Sequence, residues 1–218
     1  PLEAARKLVK VNREVVVENL EHVIPFQTAR DLVLKNPQAL VALECPCRAS
    51  RENPCLPLDV CLIVGDPFAS FIHEHHPTRA RKISSAEAER ILEEEHRRGH
   101  VHHAFFKDAM LGRFYAICNC CSCCCGAMQA QRSGTPMLIS SGYVAVNDAE
   151  ACEQCGLCVD ACQFLAMSLA DGPGVAIDPS LCLGCGVCVG TCPVDAMALA
   201  RDPKRPAPLD MDEYLESA

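Results

Sequence analysis

Apolar residues at Leu8, Val11, Val15, Val16 and Leu20 recur at helical spacing and predict an amphipathic helix over residues 2–20. A second helix is expected from about Pro25 to Lys35, opened by proline and stopped by Asn36-Pro37. The short apolar run from Gln38 to Glu44 predicts a buried strand that leads into Cys45-Pro46-Cys47-Arg48. Residues 84–98 carry the clearest helical pattern. Ser84 and Glu87 have capping-box spacing, Glu93/Arg97 and Glu94/Arg98 are i,i+4 pairs, and Gly99 is a natural stop. Turn-forming residues between Ser133 and Ser141 mark an expected domain boundary.

Beyond Tyr143 the pattern becomes a repeat. Cys152, Cys155, Cys158 and Cys162 are spaced C-x2-C-x2-C-x3-C, and Cys182, Cys185, Cys188 and Cys192 repeat that run 30 positions later. The flanks repeat too: FLAMSLA matches VDAMALA, and YVAVND (143–148) has its counterpart in VAIDP (175–179). Each half is expected to run strand, three-cysteine loop, short helix ending in the fourth cysteine, strand.

This spacing suits iron–sulfur cubes. Two residues between cysteines let a loop curl so that successive sulfurs point to one centre, and Gly156, Gly184 and Gly186 permit the tight turns. The fourth cysteine of each run sits one helix away, so it is expected to ligate the other cluster. One set is then Cys152, Cys155, Cys158 and Cys192; the other is Cys182, Cys185, Cys188 and Cys162. Zinc sites more often use two separated C-x2-C pairs, and disulfides require an oxidising compartment.

Ten further cysteines form two groups: Cys45, Cys47, Cys55 and Cys61, then Cys118, Cys120, Cys121, Cys123, Cys124 and Cys125. Neighbouring side chains diverge along an extended chain, so the second group cannot all face one centre. At least one further iron–sulfur centre is expected here, its ligands drawn from both groups. Two four-thiolate clusters with two spare thiols, or one cluster plus zinc, also fit the count. Arg48 is placed to neutralise a cluster or to form an ordinary salt bridge. Among His73, His75, His76, His100, His102 and His103, solvated or hydrogen-bonded roles are the default, with His102 the first choice for a ligand because it precedes the Cys118 segment.

Composition and charge narrow the classes. The 18 cysteines among 218 residues exclude an ordinary apolar-core enzyme domain. Residues 1–140 are near neutral, whereas residues 141–218 carry 3 Lys/Arg against 12 Asp/Glu. An acidic C-terminal part argues against nucleic acid and anionic membranes and suits docking to a basic redox partner. No apolar run reaches the roughly 20 residues of a membrane span, and no secretory signal is recognisable near Pro1. Dinucleotide-binding, P-loop and nucleophile-elbow motifs are missing from the sequence.

With these motifs in view, residues 142–200 resemble the bacterial-type 2[4Fe-4S] ferredoxin domain, departing from it where Cys162 is followed by Gln163 rather than Pro. The whole chain is similar to a group of 4Fe-4S dicluster proteins with an N-terminal C-x-C-R segment and an I-C-N-C-C segment, for which electron transfer is the implied role. The expected fold class is α+β: an N-terminal mixed α/β cysteine-rich metal-binding domain (1–140), a ferredoxin-like duplicated cluster-binding domain (141–202) and an acidic tail (203–218). The expected function is electron transfer in a reducing cytoplasm, as a carrier or a subunit of an oxidoreductase complex, with no nucleic acid and no membrane span. Oligomerisation is compatible with the N-terminal helix. The alternatives are a redox enzyme with a catalytic cluster or reactive thiol in the N-terminal part, and a redox or metal sensor.

Overall fold

The structure, a computed structural model, describes residues 21–35, 39–106 and 114–209. The helix expected over 2–20 and the end of the acidic tail lie outside these residues. Both helices and strands build the fold, as expected for an α+β chain.

Seven strands form the larger sheet: β1 (Glu21–Ile24), β2 (Leu40–Leu43), β3 (Cys61–Val64), β4 (Ala80–Lys82), β5 (Val101–Phe106), β6 (Phe114–Cys120) and β7 (Leu138–Ile139). Their order is β4-β2-β3-β6-β5-β1-β7, antiparallel throughout except for the parallel β1–β7 pair. The central strands are apolar on both faces, because both are covered. Leu40, Ala42, Leu62, Val64, Ala104 and Ile117 pack under α1 (Phe26–Lys35) and α4 (Ser85–Arg97). Both helices match the sequence reading closely. Helix α4 presents Ala88, Ile91, Leu92 and Glu95 inward, the i, i+3, i+4, i+7 stripe of a core-facing helix. Ser84 caps it by accepting a hydrogen bond from the Glu87 N–H at 3.2 Å, but the Glu87 carboxylate turns to Arg81 at 2.6 Å. Of the expected surface pairs, Arg98–Glu94 forms at 3.6 Å. Three short helices complete this half: α2 (Pro46–Ala49), α3 (Phe68–His75) and α5 (Gly126–Arg132).

The pairing decides which side chains share a face. Cys61 is opposite Leu43 and one residue beyond the Leu62–Ile117 pair, and His103 is opposite Cys118. With period-two alternation, Cys61, Cys118, Cys120 and His103 fall on the face opposite Leu62 and Ile117, although Cys61, at its strand end, and Cys45, at the start of α2, still join the core cluster under α1 and α4. His102 and Asn119, paired with each other, fall on the other.

The duplicated half contributes β8 (Tyr143–Asn147), α6 (Leu157–Ala161), β9 (Met167–Leu169), β10 (Val175–Ile177), α7 (Val187–Thr191) and β11 (Met197–Arg201). The first strand of one half pairs with the last of the other, β8 with β11, while β9 pairs with β10. The duplication extends to the backbone. Left-handed residues occur at Gln154 and Gly184, Gly156 and Gly186, and Leu165 and Asp195, each pair 30 apart. Gly184 has no alternative there, since a Cβ would lie 2.3 Å from the Tyr143 carbonyl oxygen. One core cluster joins this half to the sheet, with Val23, Val101 and Met128 alongside Phe164, Val187 and Met197. The described start of the tail is anchored as well: the Arg205 guanidinium donates to the Cys182 carbonyl at 2.6 Å and to Ser140 Oγ at 2.8 Å.

Candidate metal centres

In the duplicated half the first two cysteines of each run precede α6 or α7, the third lies in the first turn of that helix, and the fourth caps its C-terminus. The thiol neighbourhoods cross between halves. Cys158 is held up by burial and by the charges of Cys152, Cys155 and Cys192, the last from the opposite run. Cys188 is likewise raised by burial and by Cys185, Cys182 and Cys162. Burial pushes Cys185 up to about 12. Cys162, Cys182, Cys185 and Cys188 line a single cavity together with Ala145, Phe164, Met167 and Leu199. Burial thus holds the Cys185 and Cys188 thiols in their protonated form, but a bound cation would drive off their protons.

Backbone donors are in place. The Ala166 N–H donates to Cys162 Sγ at 3.3 Å and the Ala196 N–H to Cys192 Sγ at 3.2 Å, again 30 residues apart, while the Ala145 N–H reaches Cys182 Sγ at 3.5 Å. N–H donors of this kind favour the ionised sulfur. Soft sulfur donors and N–H groups at both runs, with a small apolar cavity at Cys162, Cys182, Cys185 and Cys188, fit iron–sulfur clusters.

The ten remaining cysteines divide into six and four. Six form a closed ring of neighbouring thiols in the order Cys45, Cys47, Cys125, Cys120, Cys118, Cys61 and back to Cys45. The Cys61 and Cys118 sulfurs are 3.7 Å apart. Strand β3 supplies Cys61, strand β6 supplies Cys118 and Cys120, and the starts of α2 and α5 supply the other three. Cys47 is the acceptor of the ring: the thiols of Cys125 and Cys45, the Gly126 N–H and the positive charge of Arg51 hold it well below its ordinary range, against burial. Cys118 is brought down to about 7 by Cys120 and Cys61. The thiol partners Cys45, Cys61 and Cys120 are raised in return.

The other four are Cys55, Cys121, Cys123 and Cys124, whose sulfurs all lie within 4.8 Å of one another. Residues 121–125 turn back on themselves, the Cys125 N–H donating to the Cys121 carbonyl at 3.0 Å, and this turn aims three sulfurs at the loop carrying Cys55. Arg51, from the same loop, donates to the Cys124 carbonyl at 2.8 Å.

Arg48 makes a buried salt bridge with Glu95 and also donates to the Asn119 carbonyl at 3.0 Å and the Pro57 carbonyl at 2.5 Å. Glu95 accepts from His100 Nδ1 at 2.6 Å. Burial would raise the Glu95 carboxyl, but the hydrogen bonds of His100 and Arg48 outweigh it and lower it. Arg48 thus clamps α2 to α4 and β6.

The histidines sort by face. His102, the first choice from sequence, donates from Nδ1 to Asn119 Oδ1 at 2.6 Å on the face away from the ring, and burial holds its pKa down to about 3. It packs beside His96, which stacks on Phe26 at 4.8 Å. His103 shares the ring's face. Its Nδ1 is 2.9 Å from Glu21, and its Nε2 is buried without a hydrogen-bond partner. Sequence order favoured His102; strand pairing sets the two apart. His75 is capped against the Phe71 carbonyl at 2.8 Å on α3.

The duplicated strand–loop–helix–strand frame carries both four-cysteine runs, with a thiol of each run beside thiols of the other. Residues 151–196 match the family model of the 4Fe-4S dicluster domain. A search of curated proteins finds no match to the chain.

Proposed function

We propose that the protein is an electron-transfer iron–sulfur protein, acting as a carrier or as a subunit of a larger oxidoreductase. In this reading it relays electrons through two [4Fe-4S] clusters in residues 142–200 and at least one further iron–sulfur centre seated in the six-thiol ring. The observation that carries it is the dicluster match over residues 151–196, laid over two crossed thiol sets. A bound cluster takes up and gives back single electrons. The chain's own residues supply the rest: thiolates to hold the iron, N–H donors at Cys162, Cys182 and Cys192 to moderate the charge, and an apolar lining to keep water out. The ligand sets are Cys152, Cys155, Cys158 and Cys192 for one cluster, and Cys182, Cys185, Cys188 and Cys162 for the other.

Six thiols offer at least the four sulfur ligands that fill a cluster's protein-facing positions, which suits a relay more than an open catalytic metal. The acidic C-terminal part is proposed as the docking surface for a basic redox partner, and a reducing cytoplasm as the setting that keeps all 18 unbridged thiols available.

The test is anaerobic counting of iron and acid-labile sulfide on the full chain, with a reductive titration followed by electron paramagnetic resonance. The expected result is at least about twelve iron atoms, with more than two reducible centres. A count of about eight removes the ring centre and leaves the two-cluster carrier; a colourless protein without sulfide overturns the reading altogether.

A further inference from the structure

We propose that Cys55, Cys121, Cys123 and Cys124 form a closed tetrathiolate site for one thiophilic divalent cation, zinc or ferrous iron, distinct from every iron–sulfur centre of the protein. The argument is one of size. The Cys55 and Cys123 sulfurs are 3.1 Å apart, Cys55 and Cys121 3.8 Å, and Cys123 and Cys124 3.9 Å. A single tetrahedral ion with bonds of about 2.3 Å sets its sulfurs about 3.8 Å from one another. A cube of iron and sulfide holds its terminal thiolates farther apart, because the core itself fills the middle.

The molecule carries its own ruler. Among the described residues, the quartet is the one group with three or more potential ligand atoms mutually within 4.8 Å. The eight cysteines of the duplicated runs, where the dicluster match lies, contain no such trio. Neither does the six-thiol ring, although its Cys61 and Cys118 sulfurs are 3.7 Å apart. Only the quartet is contracted to the dimensions of one ion.

The donor set selects the ion. Four thiolates and no carboxylate disfavour magnesium, calcium and manganese and favour zinc or ferrous iron. The geometry also suggests a purpose. Cys120 and Cys125 of the ring adjoin Cys121 and Cys124 of the quartet, so an ion here fixes the turn that aims two ring ligands. It also ties the loop of Cys55 to that turn, from which it is separated by 66 to 68 residues of sequence. Cys123 is exposed, which gives an ion a way in.

The experiment compares the full chain, produced anaerobically with both iron and zinc supplied, with Cys55→Ser/Cys123→Ser. Zinc, iron and acid-labile sulfide are counted in each, and X-ray absorption is recorded at both metal edges. The expected result is loss of one metal equivalent with sulfide and visible absorbance unchanged. The lost equivalent should show four sulfur neighbours at about 2.3 Å and no metal–metal scattering. Loss of zinc makes the site a structural staple; loss of iron without sulfide makes it a one-iron centre. Loss of several iron atoms together with sulfide, or no change in metal content, overturns the proposal. Should the variant fail to fold, a colorimetric chelator added to the wild-type protein decides: release of one metal equivalent with sulfide retained supports the site, and release of none overturns it. A protein lacking the ring cluster but keeping this single ion would separate this proposal from the electron-relay reading.

Discussion

Gln163 Oε1 accepts a hydrogen bond from the backbone N–H of Ser122 at 3.0 Å. Ser122 lies between Cys121 and Cys123, and Gln163 follows Cys162, so the contact joins the quartet's turn to the duplicated half. It also accounts for the departure from the ferredoxin pattern. Proline at 163 would offer no side-chain acceptor. Gln163→Pro is therefore expected to leave iron and sulfide content unchanged while lowering stability by about 1–2 kcal/mol, the cost of a partly buried N–H left unpaired. Anaerobic thermal unfolding and amide exchange at Ser122 check this; an unchanged exchange rate would count against the contact.

The crossed thiol sets predict paired spectral phenotypes. Cys192→Ser should alter the same cluster signal as Cys158→Ser, although the two positions lie in different runs. Cys162→Ser should alter the same signal as Cys185→Ser. Mössbauer spectra of the four variants distinguish this from an uncrossed arrangement, in which Cys192→Ser would instead pair with Cys185→Ser.

Arg48 and Glu95 are both almost wholly buried, at 1% and 0% exposure. Arg48→Ala removes the buried cation beside Glu95 and leaves its carboxylate to His100 and the half-exposed Arg98. A loss of about 3–5 kcal/mol is expected, and a large part should be regained in Arg48→Met/Glu95→Leu, where no charge is stranded. Chemical denaturation of the metal-loaded protein measures both. Equal stability of wild type and Arg48→Ala would show that the clamp contributes nothing.

His102 provides a pH dependence with a definite sign. Its folded-state pKa is depressed to about 3 from 6.5, chiefly by burial. The folded state therefore excludes a proton that the unfolded state takes up below 6.5, so stability falls as pH drops through that value. The slope is about 1.4 kcal/mol per pH unit at most, continuing towards pH 3. Between pH 8 and 5.5, where the comparison is least disturbed by acid loss of metal, His102→Gln should flatten the fall in melting temperature. Parallel curves would contradict the assignment.

Gly190 of α7 meets His96 of α4 so closely that an added Cβ would lie 2.4 Å from His96 Nε2. His96 is itself stacked between Phe26 and His102, at ring distances of 4.8 and 5.6 Å, and cannot swing away freely. Gly190→Ala should cost about 1–3 kcal/mol through overpacking at the junction. Gly172→Ala, with nothing within 4 Å of the new methyl, serves as the neutral control. Identical melting curves for the two variants would show that the junction yields.

What the sequence determined lies close together along the chain. Helices α1 and α4, the strand before Cys45 and the 30-residue duplication follow from periodicities and caps carried by neighbouring residues, and so does the thiolate chemistry of the repeated runs. The divergence of adjacent cysteines after Cys118 was legible for the same reason, since alternation along a strand is a local property. The tertiary structure decided which cysteines meet. Cys61 joins Cys118 across 57 residues, and Cys55 joins Cys123 across 68, because the order β2-β3-β6-β5 puts those strand ends side by side. The same pairing turned His103 rather than His102 toward the ring and gave Gln163 a partner in Ser122. Such meetings depend on strand order and register, which are set by the burial of whole faces and not by any short stretch of sequence.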